Sequence, residues 1–288
     1  MRFIAKALPY FSLVKLSHSV FALPFAAIGF ALGLQAQHAM PVTLGIKVVL
    51  CMVFARNAAM AFNRWADKYI DAQNSRTSIR EIPAGIIKPS AAAWFTLLNS
   101  MAFIFTTYFI NSACFYLSFV ALAVVLGYSY TKRFTPLCHL VLGLGLSLAP
   151  IGAYIAVTGV FNFIPLMFSA IVLFWVCGFD IIYALQDIDF DRSQQLKSIP
   201  VLLGINGALT FARICHFMCA VLLIATGVYA GFAIWYWVGT ALFIALLIYQ
   251  HLLVKADDFS KINLAFFTTN GIGSLVFGFF VIIDISLS

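Results

Sequence analysis

Seven of the ten acidic residues fall into two short segments: Asp67, Asp71 and Glu81, then Asp180, Asp187, Asp189 and Asp191. The first reads Asn63-Arg-Trp-Ala-Asp67-Lys-Tyr-Ile-Asp71, the second Asp180-Ile-Ile-Tyr-Ala-Leu-Gln-Asp187-Ile-Asp-Phe-Asp191. On a helix turning about 100° per residue, steps of four or seven return to nearly the same face. Asn63, Asp67 and Asp71 therefore form one polar stripe, and Asp180, Asp187 and Asp191 another. Asp189 points away and reads as a solvated charge. Carboxylates at a membrane helix end are costly unless paired or metal-bound. Two oxygen-donor stripes on separate helices suit a pair of Mg²⁺ ions, with phosphate oxygens completing the coordination. Arg76 and Arg80, then Lys197, follow the stripes closely and add charge for a diphosphate.

The elements that must hold these stripes are membrane helices. The chain has 288 residues, 63% hydrophobic and 9% charged, with mean hydropathy +1.02. Soluble domains carry roughly a quarter of their residues as charges, so lipid is the expected solvent. Charge-free runs cover 16–46, 89–131, 134–179, 214–254 and 262–283. A span needs about 20 apolar residues. With breaks near Asn111-Ser112, at Gly159 to Pro165 and near Gly231, and a second span over 42–62, the runs predict nine transmembrane helices. Fifteen of the 17 Lys and Arg fall on one side of that alternation. The positive-inside rule makes that side cytoplasmic, with the N-terminus inside and the C-terminus periplasmic. The net charge of +7 is thus an orientation signal, and nucleic acid is excluded as a partner.

The expected architecture is an all-α integral membrane protein, one domain over 1–288. Residues 1–15 form an interfacial segment, and 63–88 and 184–207 are cytoplasmic helix-end and loop segments. The chain lacks the pattern of a cleaved signal peptide or an organelle-targeting extension. The stripes end spans two and six. Each is followed by a basic-hydroxyl pair (Arg76-Thr77, Lys197-Ser198) and then by Ile-Pro (Ile82-Pro83, Ile199-Pro200). This predicts two four-helix pseudo-repeats plus a ninth helix. None of the six cysteines forms a CxxC pair, and all read as packing residues. Cys215-His216-x-x-Cys219 does not share one helix face and is set aside as a metal site; His18, His38, His139 and His251 carry no specific signal.

At the two stripes the sequence resembles the UbiA family of intramembrane prenyltransferases. Asn63, Asp67 and Asp71 match its first motif, Asn-Asp-x-x-Asp-x-x-x-Asp, with Arg64 in place of the second residue. Asp180, Tyr183, Ala184, Asp187 and Asp191 match the second. Tyr128-Ser-Tyr-Thr-Lys132-Arg133 resembles the family's third cytoplasmic loop, and Lys15-Leu-Ser-His18 the approach to its first helix. The resemblance implies that Asn63, Asp67, Asp71, Asp187 and Asp191 hold Mg²⁺ and that Lys15, Arg76, Lys132 and Lys197 contact the diphosphate. It further implies Arg133 and Tyr183 at the acceptor and Asp180 or Asp191 as proton acceptor. The implied reaction transfers a polyprenyl group from its diphosphate to an aromatic acid, 4-hydroxybenzoate, in quinone biosynthesis at a bacterial cytoplasmic membrane. A naphthoate-type acceptor of a menaquinone pathway, and from another class a small-molecule transporter, are the alternatives. Against the transporter, the carboxylates gather at one mouth and no span carries one at its middle.

Overall fold

The computed structural model describes residues 9–14, 21–37 and 42–287. Lys15 and His18 lie outside the described residues, as do residues 1–8 of the expected interfacial segment. The helices are α1 (Leu23–Gln37), α2 (Val42–Ala66), α3 (Lys68–Gln73), α4 (Pro89–Tyr108), α5 (Ser112–Thr131) and α6 (Cys138–Thr158). They continue with α7 (Phe163–Ala184), α8 (Ile188–Ser193), α9 (Ile199–Ala230), α10 (Ile234–Leu253) and α11 (Thr269–Leu287). Among the described residues no strand is present, and seven helices are long and apolar enough to cross a membrane. The two remaining helices at predicted span positions are α1, 15 residues long, and α4, 20 residues long.

The breaks between helices follow local chemistry. Asn111 caps α5 by accepting from the Cys114 amide at 2.8 Å, and Asn162 caps α7 by accepting from Ile164 at 3.0 Å. Gly159 and Gly231 end α6 and α9 in the left-handed conformation, at φ 75° and 67°. Pro89 and Pro200 sit in the first turns of α4 and α9, where a missing N–H costs nothing.

Two expectations are corrected here. The Asp180–Asp191 stretch is not one helix. It ends as α7 at Ala184, tightens into a 3₁₀ turn over Leu185–Asp187, and restarts as α8. The Ile-Pro pairs are also not equivalent. Ile199-Pro200 opens α9, whereas Ile82-Pro83 lies in a loop and Pro89 opens the corresponding helix. A longer loop in the first half displaces the match.

The core is aromatic and asymmetric. Phe25 of α1, Phe168 and Trp175 of α7, Tyr236 and Phe243 of α10 and Phe277 of α11 are wholly buried around one cluster. The Trp175 indole N–H donates to Asn270 Oδ1 at 2.8 Å, satisfying both polar groups inside the cluster. In contrast, α2 and α5 have 17% and 22% of their most apolar stretches buried, against 61% for the α7–α8 segment. In the first half, Asn57 donates to Asn99 across α2 and α4 at 3.1 Å.

Candidate active site

The carboxylates lie where two long helices break at the basic end of the bundle. Asp67 follows α2 at φ −94°, ψ 8°, and the six-residue α3 begins directly after it. Asp187 closes the 3₁₀ turn at φ −107°, ψ 4°, and the six-residue α8 begins directly after it. Both occupy the sparse bridge region of backbone space, where functional residues collect. The second carboxylate of each pair, Asp71 or Asp191, sits four residues on and is buried. Neither break is visible in apolar periodicity, because helix resumes at once on either side.

Every one of these four carboxylates meets a cation from a loop. Arg133 Nη2 donates to Asp67 Oδ1 at 3.1 Å, and Arg80 Nη1 to Asp71 Oδ1 at 2.7 Å. Lys132 Nζ lies 3.9 Å from Asp191 Oδ1, and Arg76 pairs with Asp187 through both guanidinium Nε (3.0 Å) and Nη2. The partners cross the molecule. Arg76 and Asn74, from the loop after α3, both donate to Asp187, more than 100 residues away. The neighbours Lys132 and Arg133 reach one stripe each. Lys197 joins by its backbone N–H, donating to the Lys132 carbonyl at 2.6 Å, while its ammonium donates to the Phe134 carbonyl at 3.3 Å. Asn63 Nδ2 donates to Asp67 Oδ2 at 3.3 Å.

Burial raises the Asp67 carboxyl above its ordinary value; nearby Lys132 and the Arg133 bond oppose that rise without cancelling it. Burial works against the charged Arg76, but the bond to Asp187 and its charge win and hold the guanidinium pKa above its usual value. Asp71 Oδ2 is buried with no hydrogen-bond partner. An oxygen-only donor set with an unfilled buried oxygen fits a hard divalent cation such as Mg²⁺. As placed, no three His, Cys, Asp or Glu side chains among the described residues stand together as a metal cluster, because the cations occupy the carboxylates.

Arg133 sits on the Ala66 carbonyl (2.7 Å), on Asp67 and over the Tyr130 ring at 4.8 Å, so it holds a carboxylate of the site itself. Tyr183 accepts from Arg76 Nη1 at 3.4 Å and stacks on Phe266 at 4.1 Å. That stack lines an open groove of about 530 Å³ formed with Asn263, Leu264, Phe267 and Thr268. Asp180 stands apart from the four: its Oδ2 lies 2.7 Å from His139 Nδ1 on α6. Glu81 turns away toward Ser12 of the N-terminal segment, whose Leu13 is buried against Ala61 and Ile82.

Sequence reasoning passed over His139, Asn74 and Arg56. The first two act across chain separations of 41 and 113 residues, with no local signature. Arg56 carried a signal: it is a cation inside a membrane span, seven residues before Asn63 and therefore on the same helix face. It is partly buried and reaches the Val14 carbonyl at 3.4 Å.

An all-helical membrane bundle with paired Asp motifs at two helix breaks and basic loops closing over them defines an intramembrane prenyltransferase. Residues 22–272 match the UbiA prenyltransferase family, and the chain belongs to that family. It is 31% identical over 235 residues to the 4-hydroxybenzoate octaprenyltransferase of Aeromonas salmonicida (strain A449), covering 80% of this chain and 79% of that one. It is 27% identical over 246 residues to the enzyme of the same name from Francisella tularensis subsp. novicida (strain U112), covering 84% and 85%. Among solved structures, the apo UbiA homolog from Aeropyrum pernix K1 superposes with TM-score 0.84 at 32% identity, over 93% of this chain and 98% of that one. The Archaeoglobus fulgidus homolog bound to GPP and Mg²⁺ shares the fold, with TM-score 0.76 at 21% identity, over 96% and 99%.

Proposed function

We propose that this enzyme transfers a polyprenyl group from polyprenyl diphosphate to the ring of an aromatic acid, with 4-hydroxybenzoate as the acceptor. The observation that carries the reading is the pairing of Asp67, Asp71, Asp187 and Asp191 with four separate cations at one mouth of an apolar bundle. A diphosphate with divalent metal brings both partners such a site needs: the metal for the carboxylates, the phosphate oxygens for Arg76, Arg80, Lys132 and Arg133. Asp67, Asp71, Asp187 and Asp191 would hold Mg²⁺, with Asn63 supporting Asp67. Mg²⁺ when bound neutralises the diphosphate and makes it a better leaving group. Lys15 and Lys197 remain diphosphate ligands in this reading, while Arg133 shifts from acceptor to diphosphate end. The polyprenyl tail lies in the apolar interior or along the Tyr183–Phe266 groove.

The acceptor sits between the halves. Asp180 lies seven residues before Asp187, about two helical turns further into the bundle. Arg56, similarly placed beneath Asn63, supplies a partly buried cation for the acceptor carboxylate. In this reading the phenol end lies near Asp180, which takes the ring proton. Nine spans, a single domain over 1–288, the basic end facing the cytoplasm and a bacterial inner membrane complete the reading; the positive-inside distribution supports the orientation.

The test is incubation of detergent-solubilised protein with 4-hydroxybenzoate, a prenyl diphosphate and Mg²⁺, with mass spectrometry of products. Parallel reactions omit Mg²⁺ or substitute a naphthoate-type acceptor. Magnesium-dependent prenyl-hydroxybenzoate is expected. Product with the naphthoate acceptor alone would move the enzyme to a menaquinone route, and no product with either acceptor from folded protein would overturn the reading.

A further inference from the structure

The His139–Asp180 pair is unlike the other ion pairs of the site. Its basic partner comes from a helix, not a loop: His139 lies in the first turn of α6, and its side chain is 5% exposed against 22% for Asp180. The imidazole Nδ1 lies 2.7 Å from Asp180 Oδ2, the Cys138 side chain is also within reach of the ring, and Nε2 is buried without a hydrogen-bond partner. A buried polar atom left unpaired costs about 1–3 kcal/mol, so packing alone gives no reason for a histidine here. Leucine would fill the same volume without that cost. The arrangement instead anchors one carboxylate oxygen of a side chain that is itself 22% exposed, and leaves Oδ1 as the oxygen available to a substrate.

We propose that His139 is a positioning residue for the ring-deprotonation step, clamping Asp180 so that Oδ1 faces the acceptor. This rests on the prenyl-transfer reading above and adds a residue that reading does not require. In the step, the C1–O bond of the donor breaks and its electron pair leaves with diphosphate. The ring carbon forms the new bond to C1. The C–H bond at that ring carbon then breaks, its proton passes to Asp180 Oδ1, and its electron pair restores the aromatic ring. His139 Nδ1–H stays on Oδ2 throughout. Because α6 starts directly after the loop bearing Lys132 and Arg133, one short segment carries both the cations at the diphosphate end and the clamp on the base.

The test exploits side-chain geometry. The amide nitrogen of Asn stands where Nδ1 stands, whereas that of Gln reaches the Nε2 position. His139→Leu and His139→Gln are expected to lose about 10–100-fold in kcat for acceptor prenylation, the usual cost of removing a group that orients a reacting one. His139→Asn should recover to within several-fold of wild type. In all three, the donor KM and the acceptor-independent release of pyrophosphate should stay at wild-type values, because those report the diphosphate end alone. Equal prenylation by wild type and His139→Leu would overturn the proposal. So would an Asn variant no better than Gln, or pyrophosphate release falling in step with prenylation, which would mark a purely structural role. Wild-type protein that prenylates no acceptor would instead sink the functional reading itself.

Discussion

After Asp67 and after Asp187 the chain does the same thing and then parts company. In each case a long helix breaks at the aspartate, a six-residue helix follows, and a second buried aspartate sits one turn on. Beyond that, the first segment runs through a long loop to Pro89, while the second reaches α9 after only five residues, 194–198. The difference is one of supply. The first loop furnishes Arg80 for its own Asp71, and Arg76 and Asn74 for Asp187 in the other half. The second segment furnishes no side-chain cation to any of the four carboxylates; Asp187 and Asp191 depend on Arg76 and Lys132. The second half is also the packed one, with Trp175 and Phe168 wholly buried, whereas α2 and α5 have few fully buried residues. One half is scaffold, and the other brings the cations to it.

The comparison breaks if the two aspartates at the helix breaks are not equivalent in function. Asp67→Ala and Asp187→Ala should each lower kcat by about 10³-fold or more, since each removes a carboxylate proposed to hold the metal and strands a cation. Both variants should keep the wild-type apparent Tm within a few degrees. Near-normal turnover in either one, measured by product mass spectrometry, would remove that residue from the metal site.

The dependence of one half on the other can be measured at Arg76. Arg76→Lys keeps the charge but loses the two-pronged contact with Asp187 made through Nε and Nη2. A loss of about 10–100-fold in kcat/KM for the donor is expected, with Arg76→Ala no better than Lys. Full activity of Arg76→Lys would mean that only charge is required there and that the crossing contact is incidental.

The legible parts of this molecule are those written in local chemistry. Asn111, Gly159 and Gly231 mark helix ends through capping and left-handed backbone, so the breaks inside the charge-free runs stand where those residues fall. The carboxylate positions were legible for the same reason, being charges with no other cause at a membrane helix end. The break at Asp187 was not, since Leu185 to Asp187 fit helix and 3₁₀ alike. His139 was not either, because nothing near it in sequence distinguishes it from an interfacial histidine; only the packing of α6 on α7 delivers it to Asp180. Arg133 shows a third limit: its type and loop were readable, but its partner Asp67 lies on the other side of a tertiary contact.

The contrast in packing predicts unequal tolerance to a single methyl group. A Cβ at Gly143, on α6, would stand 2.5 Å from the Leu173 backbone carbonyl of α7. Backbone cannot swing aside as a side chain can, so α6 and α7 must part. Gly143→Ala should cost about 1–3 kcal/mol and lower the apparent Tm by several degrees. An unchanged Tm would mean that the packed half yields more readily than its burial implies.

Gly127 supplies the counterpart in the loosely packed half. It lies on α5 between Leu126 and Tyr128, and a Cβ there meets nothing within 4 Å. With no neighbour to displace, the remaining effect is conformational: alanine loses less backbone freedom in a helix, by roughly 0.8–1.0 kcal/mol in soluble hosts. Gly127→Ala should therefore leave the apparent Tm unchanged or raise it by a degree or two, with prenylation intact. Measured beside Gly143→Ala in the same detergent, it isolates packing from propensity, since both substitutions add the same methyl to a glycine inside a helix. A fall in Tm at Gly127 matching that at Gly143 would erase the distinction between scaffold half and loop-bearing half.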